Sequence, residues 1–190
     1  MRRPIAGLVT AMTTAVVLGA AALAVPAAAS AGTSHATARR AACDELWGSK
    51  PKDAGVMVQT KIRSVRAGQH TCFDRFVVAL GKGDRPGYRV RYVKRIIQDP
   101  SGRVIRLKGK AKLRIAVLAP VRDGFPVGSH HLVDVSGFAA FRQIACAGSF
   151  EGITSFGIGV RARLPFRVLR IKKTDGTWVV AVDVAHHWPS

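Results

Sequence analysis

From Val56 onward come segments in which apolar residues recur at every second position, and this alternation restricts the chain to strands. In "YRVRYV" Tyr88, Val90 and Tyr92 fall on one face while Arg89 and Arg91 fall on the other. Leu113, Ile115 and Val117 repeat the pattern against Lys112 and Arg114, and no segment carries a helical period. The expected strands are Val56–Arg66, Thr71–Leu80, Tyr88–Ile97, Val104–Leu107, Lys112–Leu118, Phe138–Ala145, Thr154–Arg161, Phe166–Lys172 and Trp178–Val184. Turn chemistry separates them in "GKGDRPG", "DPSG" and "KTDG". A strand with one apolar face must bury it against another sheet, so the predicted fold is an all-β sandwich of about nine short, mostly antiparallel strands. "WVVAVDV" is apolar on both faces apart from Asp183, which predicts a central strand.

Gly157, Gly159 and Ala162 satisfy the G-x-G-x-x-A spacing of a dinucleotide fingerprint. That fingerprint requires a helix after the turn, so that a pyrophosphate meets the helix N-terminus. Pro165 lies where the first helical turns would be. Upstream, Thr154, Phe156, Ile158 and Val160 alternate with Ser155, Gly157, Gly159 and Arg161. The segment is therefore a strand with one face of small residues, which another backbone or side chain can approach closely.

At the N-terminus, Arg2 and Arg3 precede an apolar run from Ile5 to about Val25 and the small residues Ala27 to Ala31. This reads as a secretory signal over residues 1–31, cut after Ala31 or Ala29, with a linker and irregular leader over 32–54 and one domain over 55–190. No second apolar run is long enough to span a membrane, so no transmembrane segment is expected after signal removal. The predicted compartment is extracellular, at the cell wall. There, three cysteines imply one disulfide and one thiol. Cys43 lies in a loosely patterned leader that gains most from a tie to a core strand, which favours Cys43–Cys72 and leaves Cys146 as a buried thiol. No C-x-x-C or spaced Cys/His set suggests a metal, and no cofactor is expected.

The formal charge is +19, or +17 without Arg2 and Arg3. Such an excess bears on partners more than on fold. Outside the cell, nucleic acid is an unsuitable partner, and wall polymers or lipid headgroups remain. One crowd of basic residues runs through Lys94, Arg95, Arg103, Arg106, Lys108, Lys110, Lys112 and Arg114. A second runs through Arg161, Arg163, Arg167, Arg170, Lys172 and Lys173. On strands, alternate members of each run would form a face of one sign that attracts polyanions in a salt-sensitive way.

Signals for catalysis are thin. Asp74, Glu151 and Asp183 are the carboxylates that could flank a sugar bond as acid and base. Pairing of Asp74 and Asp183 with basic residues is the simpler expectation. Adjacent histidines, as in His130-His131 and His186-His187, point to opposite faces of a strand and cannot share one ion. There is no G-x-S-x-G elbow for a serine nucleophile.

"HTCFDRFVVAL" (70–80), "GYRVRYV" (87–93), "FRQIACAGSFEGITSFGIGVRARLPFRV" (141–168) and "VVAVDVAHHW" (179–188) together resemble the AMIN-like domain of secreted and lipid-anchored bacterial proteins. The resemblance implies a β-sandwich distantly similar to the AMIN domain, which in some N-acetylmuramoyl-alanine amidases binds peptidoglycan at the division site. It brings no catalytic residues with it. Phe150, Phe156, Phe166 and Val168 are the apolar positions of these motifs and are expected in the core. Asp74, Arg75, Glu151, Arg161 and Arg163 are polar motif positions; they could line a ligand groove or form a buried ion-pair network that fixes register. With Arg89 and Arg91 they make up the candidate ligand-binding set. The reading is a secreted, non-catalytic module that binds peptidoglycan or an anionic wall polymer, helped by Trp47, Trp178 or Trp188 where exposed. The alternatives are a wall hydrolase with paired carboxylates and a protein-interaction module with an open strand edge.

Overall fold

The computed structural model describes Cys43 and residues 47–189. The signal peptide, its cleavage site and most of the linker lie outside the described residues. Eleven strands form: β1 (Lys52–Ala54), β2 (Ile62–Gln69), β3 (Phe73–Lys82), β4 (Gly87–Val93), β5 (Ile96–Ile97), β6 (Val104–Ile105), β7 (Ala111–Leu118), β8 (Phe141–Phe150), β9 (Ile153–Val160), β10 (Phe166–Lys172) and β11 (Thr177–Ala185).

Every pairing of these strands is antiparallel. A five-stranded sheet has the order β1-β4-β7-β9-β8, a four-stranded sheet the order β10-β11-β3-β2, and β5 and β6 make a separate ribbon. The predicted sandwich is therefore the observed one, and "WVVAVDV" is central, between β10 and β3. Its core follows the alternation. Val90, Leu113, Ile115, Val117, Phe156 and Ile158 from one sheet pack with Phe76, Val78, Leu80, Val180, Val182 and Val184 from the other. Phe76 meets Phe156 edge to face with ring centroids 5.3 Å apart, and Tyr92 meets Phe166 at 5.7 Å.

Three boundaries differ from expectation. The strand predicted over Tyr88–Ile97 breaks at Lys94 and Arg95, where the chain leaves the sheet and starts the ribbon. The strand expected from Val56 begins only at Ile62, while three residues of the supposed leader pair with β4 as β1. Phe150, expected in the core, ends β8 at the sheet margin and is 48% exposed, whereas Phe156 and Phe166 are fully buried.

The small face of β9 has the predicted use. The ribbon lies over it, and its Ile96, Ile105 and Leu107 join Ala145 and Ala147 of β8 in a second apolar cluster. A Cβ on Gly157 would stand 2.9 Å from Ile96 carbons, and one on Gly159 only 1.9 Å from the Lys108 carbonyl oxygen. Both positions exclude any side chain. Gly159→Ala is thus expected to lower stability by about 2 kcal/mol or more in urea unfolding, through displacement of the ribbon's exit. Gly68→Ala, where a Cβ meets open space, should stay within about 0.5 kcal/mol.

Candidate functional site

The outer face of the five-stranded sheet is divided in two. The ribbon covers the β8–β9 half, and the β4–β7 half stays open as a groove of about 180 Å³. Its lining is Arg89, Arg91, Arg114, Ala116, Leu118 and Ile153. The alternation that buries Val90, Leu113 and Ile115 puts Arg89, Arg91 and Arg114 on this opposite face. Register then sets Arg91 directly across from Arg114 and Arg89 across from Ala116.

Like charges directly opposed across a ladder repel, and carboxylates relieve them only in part. Arg91 reaches Asp53 of β1 at 3.2 Å with both side chains about half exposed, so the pair contributes at most about 1 kcal/mol. Arg114 donates from one terminal nitrogen to Asp99 and to Ser155 Oγ, each at 3.2 Å. Its Nε is buried without a partner among the described residues. Arg89 is exposed and has no carboxylate within ion-pair distance among them. The groove therefore keeps unused donors and a net positive charge.

The remaining predicted site residues lie elsewhere, in two groups and one isolated turn. On the outer face of the four-stranded sheet, fully buried Asp183 accepts two hydrogen bonds from Arg75, at 2.6 and 2.8 Å, and one from Arg167 at 2.8 Å. The hydrogen bond to Asp183 raises the Arg75 guanidinium above its ordinary range. Trp47 lies 4.3 Å from Arg167 and packs edge to face on Phe73, so this cluster also holds the leader down.

At one end of the sandwich, buried Asp74 accepts the backbone N–H groups of Ala140 and Phe141 at 2.6 and 2.9 Å and meets His186 Nε2 at 2.9 Å. Arg161 donates to the His186 carbonyl oxygen. Arg163 donates to Ser49 and sits 5.2 Å over the Tyr92 ring. Glu151 stands alone, exposed in the β8–β9 turn with φ +48°. Asp74 and Arg75 thus carry the buried-network reading of the motif positions, and Arg161 extends it through the backbone. Asp74 shares the inner face with Phe76 and Val78, while Asp183 shares the outer face with Val77 and Val179, so the two carboxylates are on opposite sides of one sheet.

In the second basic crowd, Arg167 turns outward to Asp183, while Arg170 turns inward over Tyr88 and donates to the Pro86 carbonyl. Trp178 is buried, with its N–H given to the Gly83 carbonyl, and is unavailable for stacking. Trp188 is half exposed. The disulfide is Cys43–Cys72, as expected, and Cys146 is a buried thiol whose titration burial pushes upward. Arg114 escaped the site prediction because its place beside Arg91 depends on a register that no local pattern prints.

Among known proteins, the chain matches the family model described as the AMIN-like domain over residues 60–186, from just before β2 to the end of β11. No curated protein and no solved structure gives a significant match.

Two stability measurements check these contacts. Asp183→Ala leaves Arg75 and Arg167 without their shared anion and is expected to cost about 3 kcal/mol in urea unfolding. Arg89→Ala should change stability by no more than about 0.5 kcal/mol. The second concerns Tyr92, whose hydroxyl donates to the Leu164 carbonyl and accepts the Leu164 N–H. Burial pushes its phenol up to about 12. The folded state then holds a proton that the unfolded chain releases near pH 10. Its contribution is present below pH 10 and is lost as pH rises toward 12. Stability measured by unfolding across that window should fall more steeply in the native chain than in Tyr92→Phe.

Proposed function

The chain belongs to the AMIN-like domain family, and from that premise we propose that it is a cell-envelope binding module that acts without catalysis and holds peptidoglycan or an anionic wall polymer. Family membership points to association with the envelope. The observation that carries the ligand class is the open groove with Arg89, Arg91 and Arg114 on adjacent strands, incompletely neutralised. Guanidinium forks match the carboxylates of peptide stems and the phosphates of wall polymers, giving two parallel hydrogen bonds per anion.

A rigid sheet holds the three groups in register, so little ordering is lost when a repeating polyanion is bound. The Asp53 and Asp99 contacts relieve part of the repulsion in the groove and can yield to a stronger acceptor. Three features support a non-catalytic role. Asp74 is committed to two backbone donors and His186, Asp183 is committed to two arginines, and the two face opposite sides of their sheet. Secretion through residues 1–31 would bring the module to its ligand and match the Cys43–Cys72 disulfide.

Co-sedimentation with purified sacculi, with and without teichoic polymers, at low and at ~1 M salt tests the reading. The expected result is binding that Arg89→Ala with Arg91→Ala weakens about tenfold or more, with stability lowered by no more than about 1 kcal/mol. Retention in the supernatant under every condition, or binding indifferent to the two substitutions, would sink it.

A further inference from the structure

The groove opens at one end onto a feature that a hydrated polymer does not require. Val56 is 71% exposed, Met57 46% and Phe150 48%. They come from two separate segments that meet at the same sheet margin. The Val56 carbonyl accepts the N–H of Gly87, the first residue of β4, and Val58 donates to Leu118 at the end of β7. Met57 lies against the β8–β9 turn so closely that a Cβ on Gly152 would stand 2.8 Å from its sulfur. Phe150 opens that turn, and Ile153, across from it in the ladder, lines the groove. Three exposed apolar side chains thus border a floor of Ala116, Leu118 and Ile153 walled by three arginines.

We propose that this margin docks on an anionic bilayer surface. Met57, Phe150 and Val56 enter the interfacial layer, and Arg89, Arg91 and Arg114 take the phosphate oxygens of lipid headgroups. The argument rests on the pairing of two chemistries. Exposed apolar groups gathered at one edge are costly in water and mark a contact surface. Cations directly behind them match the depth order of a membrane, in which acyl chains lie beneath a plane of phosphate. A wall polymer supplies anions but no apolar layer, so the rim selects the bilayer. The inference shares the groove with the wall-binding reading and goes beyond it in naming a second kind of ligand.

The test must report on the rim itself, because the apolar run in residues 1–31 could carry a full chain to lipid. Phe150→Trp places a fluorophore at the rim, and Ile171→Trp places one at a comparably exposed position, 43%, on the outer side of the four-stranded sheet. Both are made in the full chain and mixed with phosphatidylglycerol vesicles whose acyl chains are brominated, beside phosphatidylcholine vesicles. The signal of each is the difference from the parent chain, whose three tryptophans both variants share. The expected result is quenching and a blue shift at position 150 with the anionic vesicles, and neither at 171. Met57→Ser together with Phe150→Ser should lower vesicle affinity at least about tenfold, and so should Arg89→Glu with Arg91→Glu. No quenching at 150, or equal quenching at both positions, overturns the proposal. Sacculus binding measured on the same preparations keeps the two readings apart, since bound sacculi with an unquenched fluorophore at position 150 would remove the bilayer and leave the wall.

Discussion

The packing of a short ribbon against two bare backbone positions governs how this molecule presents itself. Gly157 and Gly159 let β5 and β6 descend onto β9, where any side chain would hold them off. The ribbon seals half of the outer face with its own small core of Ile96, Ile105 and Leu107. What it leaves uncovered is the β4–β7 half, where Arg89, Arg91 and Arg114 wall a floor of Ala116, Leu118 and Ile153. The ribbon's far end supplies Asp99, whose carboxylate reaches Arg114 and whose N–H is held by the Ala147 carbonyl. Residues placed for packing therefore also fix one partner of the charged floor.

Charge is handled differently on the two outer faces. On the four-stranded sheet a single buried aspartate takes two arginines, and the cluster is closed by aromatic rings. Removal from water makes that arrangement sensitive to loss of either sign. On the five-stranded sheet the arginines are partly solvated and share their acids loosely. Solvent screening makes such contacts weak and replaceable. The same residue type is structural on one side of the sandwich and available on the other, and burial of the acid partner makes the difference.

Much of this was legible in the sequence, for physical reasons that can be named. Alternation in β4, β7 and β9 pointed to the sandwich and its inward residues because side chains on a strand repeat every two positions. The small face of β9 announced a close neighbour, and the loose leader announced its disulfide. Val104–Leu107 reads as a strand and contains β6, but the break that frees β5 from β4 was hidden because two-residue strands carry no period, and the three residues of β1 are too few to show one. The grouping of Asp183 with Arg75 and Arg167, and of Arg91 with Arg114, is cross-strand information fixed by register, which single-strand patterns do not contain. Phe150 and Val56 continued an apolar alternation past the last inward positions, so their pattern promised burial that the sheet margin does not provide.

The bond between Cys43 and Cys72 closes a loop across 29 positions of sequence, and that loop contains β1, the Val56–Met57 rim and β2. A pull applied upstream of Cys43 therefore takes the covalent short cut and arrives at Cys72, beside the first residue of β3. From there it runs along a strand flanked on both sides, by β11 and β2, so tension is borne by two ladders in shear. The part of the loop ahead of β2, with β1 and the Val56–Met57 rim, is bypassed along the chain. A protein held by its beginning could thus be tugged without distorting the margin where its exposed apolar residues gather.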